Sequence, residues 1–265
     1  MRLSPYLWVA VLSLQTVCGL AIDTGFVARK SIRTDANSTT NNAAKILRIL
    51  PLGASITWGT HSSNGNGYRK YLKDDFEDAG YTVNFVGSRK NGNMVDNEVE
   101  ARPGNTIDQV SAAASASLHY KPNIVLINAG TNDARRAIDI PNAGKRMRSL
   151  INKLTAAPDM RNTLIVLSTL LSSGNTAISR HTPAINNQYR ALVRAMRAEG
   201  VQIVLAEINS ASSIPRIVYP DDFRQGGALD NTHPGDTGYK KMATIWANAV
   251  AGAAAQGLIS KPAPI

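Results

Sequence analysis

The chain has almost no cysteine. Of 265 residues only Cys18 is one, and it lies within the first 21 residues, so the remainder can form no intrachain disulfide, thiolate metal site or thiol nucleophile. Aromatic residues are also scarce, at 6% of the sequence. Acidic residues are outnumbered, 19 against 29 Lys and Arg, for a formal charge of +10. Such a balance suits an anionic partner, but Arg190, Arg194 and Arg197 recur at helical spacing as a solvated face and the other basic residues are scattered. With no aromatic-interleaved basic stripe, nucleic-acid binding is not expected, and weak attraction to an anionic cell wall or polysaccharide fits the charge only somewhat better. No apolar run reaches the roughly 20 residues that a membrane span needs. Two glycine signatures are missing as well. No G-x-G-x-x-G follows the first apolar run, which argues against a dinucleotide site, and Gly53-Ala54-Ser55-Ile56-Thr57 lacks the second glycine of a G-x-S-x-G elbow.

What is present begins with Arg2, an apolar segment from Tyr6 to Val17 and the small residues Gly19-Leu20-Ala21, a pattern that predicts a signal peptide over residues 1–21 and a secreted, extracellular protein. Residues 22–44 are polar with little periodicity and read as a flexible arm, in which Asn37-Ser38-Thr39 is a glycosylation sequon. About 240 residues then suffice for one α/β domain, expected over 45–258 with a tail at 259–265.

Short apolar runs alternate with helical patterns. Strands are predicted near Leu47–Pro51, Thr82–Val86, Ile124–Asn128, Leu164–Ser168 and Ile203–Ala206, and helices at Tyr68–Ala79, Thr106–Leu118, Asn142–Leu154, Pro183–Glu199 and Asp236–Ala254. That order predicts a five-stranded parallel sheet inside a three-layer α/β/α sandwich.

Three segments carry candidate chemistry. Ser55 ends the first predicted strand, at the edge where open α/β sheets bind ligands, and reads either as a nucleophile or as a helix-capping serine. Asp230 precedes His233 by three residues, a spacing that lets the carboxylate fix one ring nitrogen and leave the other as a base; a plain surface turn is the alternative. Asn132 follows a third strand and offers an amide to an oxyanion. Asp221-Asp222 reads as loop solvation and as a competing triad acid, and Asp133 as a cap of the helix that follows it. His61, His119 and His181 have no metal-ligand spacing, so neither metal nor cofactor is expected.

Gly53-Ala54-Ser55, Gly104, Gly130-Thr131-Asn132-Asp133 and Asp230-Asn231-Thr232-His233-Pro234 together resemble the four sequence blocks of the SGNH (GDSL) hydrolases, in the family's order. Gly67-Tyr68-Arg69, Ala79 to Gly87 and Pro103-Gly104 ahead of Thr106-Ile107-Asp108 resemble its acetyl xylan esterase-like branch, carbohydrate esterase family 3. The resemblance implies a flavodoxin-like fold, a Ser55-His233-Asp230 triad, and an oxyanion hole from the N–H groups of Ser55 and Gly104 with the Asn132 side chain. Two departures stand out: Ala54 where the family has Asp, and Glu98 to Gly104 where the branch has a His-rich stretch.

The expected substrate is an acylated carbohydrate, acetylated xylan first, cleaved by a monomer without membrane insertion. Trp58, His61 and Arg102 are the candidate substrate contacts, Trp58 serving equally well as core packing. The polar segments Thr60–Gly67, Ser88–Arg102 and Leu171–His181 offer no apolar lid or acyl tunnel. A lysophospholipase-like or broad short-chain esterase is the second reading, and a catalytically silent carbohydrate-binding relative the third.

Overall fold

The computed structural model describes residues 46–265. The expected signal peptide, the N-terminal arm and Asn37 lie outside the described residues. In chain order the elements are β1 (Ile46–Gly53), α1 (Ser55–Trp58), α2 (Tyr68–Asp78), β2 (Thr82–Phe85), β3 (Arg89–Lys90), β4 (Glu98–Ala101), α3 (Ile107–Ala114) and β5 (Ile124–Asn128). There follow α4 (Thr131–Arg136), α5 (Ala143–Thr155), β6 (Leu164–Ser168), α6 (Thr176–Ala198), β7 (Ile203–Ala206), β8 (Arg224–Gln225), β9 (Ala228–Leu229) and α7 (Asp236–Ala255).

The main sheet runs β3-β4-β1-β5-β6-β7, with β2 also paired to β1, and all pairings are parallel except β3 with β4. Seven strands replace the five expected. The additions are the short pieces β3 and β4, whose charged residues hide the strand pattern: Glu98-Val99-Glu100-Ala101 carries two carboxylates in four residues. Glu100 is nevertheless fully buried, its carboxylate accepting from the Ser117 hydroxyl at 2.6 Å and the Ser88 N–H at 3.2 Å.

β1 also runs past Pro51, the expected end, to Gly53. Proline cannot donate to a sheet ladder. Pro51 is tolerated because on one edge it falls between the two partners of β1: β2 pairs with Ile46 to Ile49, and β4 with Leu52 and Gly53. Gly53 in turn is required sterically, since a Cβ there would lie 2.4 Å from the Asn128 carbonyl oxygen and 2.3 Å from Thr57 Oγ1.

Side chains alternate across strands buried on both faces. Leu47, Ile49, Ile124, Leu126, Leu164 and Val166 face α2 and α7, where Tyr68, Leu72, Phe76, Tyr239 and Trp246 complete one core. Leu50, Leu52, Val125, Ile127, Ile165 and Leu167 face the other way, onto α3, α5 and α6. These are the three expected layers. Helix α6 starts seven residues before the predicted Pro183: Asn175 caps it by accepting from the N–H groups of Ala177 and Ile178, both at 3.1 Å, and Pro183 sits inside it. Residues 176–181 of the polar segment Leu171–His181 are therefore helix. The C-terminal residues are held too, since Arg48 Nη1 donates to the Ala263 carbonyl at 2.8 Å and Asn123 Nδ2 to that of Ser260 at 2.8 Å.

Candidate active site

Ser55 is delivered by the end of β1 and opens the one-turn helix α1. Ala54 occupies the N-cap position with no side-chain hydrogen bond, so Ser55 is not the cap and its hydroxyl is free for another partner. That partner is His233: Nε2 lies 2.9 Å from Ser55 Oγ. On the far side of the ring, Nδ1 lies 2.9 Å from Asp230 Oδ2. An ionised carboxylate can only accept, so Nδ1 carries the proton and Nε2 is left as the acceptor for the serine hydroxyl.

The turn bearing the pair is fixed by its own backbone. Asp230 Oδ1 accepts from the N–H groups of Thr232 at 2.7 Å and His233 at 3.0 Å. Burial alone would raise the Asp230 carboxyl; the bonds from the His233 ring and these two N–H groups outweigh it and hold the group below its ordinary value. The Asn231 carbonyl accepts from the Gly174 N–H at 3.0 Å, and the Tyr219 hydroxyl donates to Asn231 Oδ1 at 2.7 Å.

Asp222 is buried, against the expectation of a solvated loop residue. It is 2% exposed, accepts through Oδ2 from the Val218 N–H at 2.7 Å and Lys241 Nζ at 2.8 Å, and its carbonyl accepts from the Gly235 N–H at 2.9 Å. It therefore braces the turn, and among the described residues the carboxylate bonded to His233 is that of Asp230.

Asn132 comes from the first turn of α4 and is 8% exposed. One Nδ2 hydrogen goes to the Asn105 carbonyl at 2.9 Å, which ties it to the loop carrying Gly104. Gly104 has φ +88°, a conformation that needs glycine. Among the described residues the backbone N–H groups of Ser55 and Gly104 have no acceptor. Asp133 does not cap α4. It is fully buried, accepts from the Ile107 N–H at the start of α3 at 3.0 Å, and pairs with Arg146; burial raises its carboxyl in spite of both partners.

Ser55, Gly104, Asn132 and His233 line one open depression of about 280 Å³, together with Thr60, Pro103, Arg135 and Arg136. Beneath it the buried Tyr239 hydroxyl donates to the Thr60 carbonyl at 2.7 Å. A second depression of equal volume lies at the opposite, N-terminal edge of β5 and β6, lined by Lys121, Asn123, Arg161 and Thr163 among others, and has no histidine. The three candidate substrate contacts are not in the wall beside Ser55. The Arg89 guanidinium lies over the Trp58 ring, 5.2 Å from the ring centroid; Arg102 Nη2 lies 3.5 Å from Glu100; and His61 Nε2 is buried with no hydrogen-bond partner among the described residues. Arg135 and Arg136 went unremarked in the sequence, although they directly follow the Gly130–Asp133 block on the same short helix.

Residues 52–241 match the GDSL-like lipase/acylhydrolase family. The chain belongs to that family. The family is one of acylhydrolases, whose members cleave carboxylic esters. The chain is 25% identical over 239 residues to a multidomain esterase of Ruminococcus flavefaciens, a match covering 80% of this chain and 29% of that much longer protein. In fold the acylhydrolase resembles a family 3 carbohydrate esterase of Clostridium thermocellum, at TM-score 0.68 and 21% identity, covering 82% of this chain and 100% of that one. A carbohydrate esterase of family 3 from Talaromyces cellulolyticus gives TM-score 0.65 at 18% identity, covering 78% of this chain and 97% of the other.

Proposed function

We propose that the acylhydrolase uses Ser55 as nucleophile, His233 as general base and Asp230 as the group that orients the imidazole. It would thereby remove small acyl groups, acetyl first, from a polysaccharide such as acetylated xylan. The observation that carries this reading is the unbroken path from Asp230 Oδ2 through His233 to Ser55 Oγ, two contacts of 2.9 Å at the carboxyl edge of the sheet. As Ser55 attacks the ester carbonyl, His233 takes its proton and then returns it to the departing alcohol. Water hydrolyses the acyl-enzyme with His233 again as base. The N–H groups of Ser55 and Gly104 and the second Nδ2 hydrogen of Asn132 are the donors for the oxyanion.

The depression supports a small acyl group. Its lining contains no Leu, Ile, Val, Phe or Met, so an acyl chain would forgo the roughly 0.8 kcal/mol that each buried methylene contributes. The carbohydrate leaving group is supported by the family 3 carbohydrate esterases that share the fold. Export is supported by the N-terminal charge and hydropathy pattern. The test is a p-nitrophenyl ester series from acetate to octanoate alongside acetate release from acetylated xylan. The expected result is kcat/KM falling with chain length and acetate released. Preference for eight carbons with no acetate from xylan would remove the carbohydrate reading.

A further inference from the structure

Two guanidinium groups share the depression with Ser55. They belong to Arg135 and Arg136, the last residues of α4. Arg135 Nη2 donates to Thr232 Oγ1 at 2.7 Å, on the residue before His233, and Arg136 Nη2 donates to the Gly104 carbonyl at 3.1 Å. Among the described residues neither has a carboxylate within 4.0 Å, whereas Arg146, Arg148 and Arg190 each do. Asp230, the nearby carboxylate, is committed to the His233 ring and two N–H groups.

A guanidinium has five N–H donors, and each of these uses one of them on the protein. Basic residues at a helix end complement its dipole, but that role does not require either group to face the nucleophile. Above Gly104 the space is open: a Cβ built there would meet only Arg136 Nη2, 3.7 Å away, within 4 Å. The rim of the depression thus presents two charged forks, with donors to spare, to whatever carries the acyl group.

We infer that the alcohol released by the acylhydrolase belongs to a carboxylate-bearing saccharide, a uronate-containing polysaccharide, with Arg135 and Arg136 determining that specificity. This rests on the carbohydrate esterase reading and narrows its substrate class. The planar fork of arginine matches a carboxylate with two parallel hydrogen bonds, and a neutral sugar would leave both cations unpaired. A formal charge of +10 on the whole chain also favours approach of a polyanion. A lysophospholipid would supply an anion too, but the depression has no apolar wall for its tail.

The experiment compares kcat/KM for acetate release from two acetylated oligosaccharides of equal length, one carrying a uronate and one neutral, at low ionic strength. The uronate substrate is expected to be preferred about tenfold, as for an exposed charge-assisted contact. The ratio is expected to approach one in about 0.5 M NaCl and in the double variant Arg135→Gln/Arg136→Gln, and to persist in Arg194→Gln on the exposed face of α6. Because the double variant also loses bonds to Thr232 and Gly104, inhibition of the wild type by sodium glucuronate and by methyl xyloside is measured in parallel, with tighter inhibition expected from the uronate. Equal turnover of the two substrates, a ratio unchanged in the double variant, equal inhibition, or faster turnover of lysophosphatidylcholine than of either saccharide would overturn the inference. Turnover of p-nitrophenyl acetate separates the failures. If it proceeds while the ratio is one, only the uronate specificity falls; if no ester is cleaved, the esterase mechanism falls with it.

Discussion

Asp230 holds His233 at two points, through Oδ2 on the ring at 2.9 Å and through Oδ1 on the backbone N–H at 3.0 Å. One carboxylate thus sets both the position of the imidazole along the chain and the tautomer it adopts. Asp230→Asn should keep much of the backbone contact and lose the tautomer control, lowering kcat by up to about 10⁴-fold if the precedent of the serine proteases carries over. Asp222→Asn should act differently, weakening the contact with Lys241 and lowering Tm at a cost of about 1–3 kcal/mol, with a far smaller effect on kcat. Steady-state kinetics and thermal melts of both variants separate the roles; the reverse pattern would make Asp222 the triad acid.

The same carboxylate makes a prediction about acid. Because its folded pKa lies below the ordinary 3.8, the ionised form contributes stability that is complete above the unfolded value and is lost as pH falls through the lowered one. The stability difference between wild type and Asp230→Asn should therefore be flat from about pH 7 to pH 5 and close only below about pH 4. Urea unfolding of both proteins across that range measures it. A gap that closes near neutrality would assign the linkage to another group.

Asn132 should matter when charge develops on the substrate oxygen. Asn132→Ala is expected to lower kcat by about 10² to 10³ with little change in KM. An effect confined to KM would make Asn132 a ground-state contact, and its bond to the Asn105 carbonyl its main purpose.

Arg69 carries a stability prediction. Its guanidinium is fully buried and donates to the carbonyls of Asn97 at 2.9 Å, Asn91 at 2.8 Å, Gly65 at 3.1 Å and Trp58 at 3.4 Å. Burial pushes its pKa down to about 10, and the ring of carbonyls knits the loop after Ser55 to the loop between β3 and β4. A lysine cannot span those four acceptors. Arg69→Lys should cost about 2–4 kcal/mol in urea unfolding, since it leaves buried carbonyls unpaired; a change below about 0.5 kcal/mol would show that the loops hold without it.

These residues show where the fold and the site could be read from sequence. Apolar runs such as Ile124-Val125-Leu126-Ile127 are buried on both faces and have no other plausible use, so β5 and β6 were legible to the residue. The Ser55 and Asn132 segments stand out in the sequence because each puts a reactive side chain just past a strand's carboxyl end, and Asp230–His233 because a carboxylate three residues before an imidazole can reach its ring. What stayed hidden depended on distant partners. Glu100 reads as a surface charge until Ser117 and Ser88 bury it, and Asp222 until Val218 and Lys241 do. Pro183 reads as a helix start because the real cap, Asn175, lies beyond a stretch rich in Ser and Thr. Arg135 and Arg136 look like ordinary surface charge until folding turns them toward Ser55.

A serine activated by His233 is open to covalent trapping, which identifies the nucleophile itself. The protein is treated with a fluorophosphonate ester and the modified peptide is identified by mass spectrometry. A single phosphonyl adduct is expected on Ser55, formed as p-nitrophenyl acetate turnover is lost and greatly slowed in His233→Ala. Loss of turnover with the adduct on another residue, or labelling of Ser55 at the same rate without His233, would contradict a nucleophilic Ser55 activated by His233.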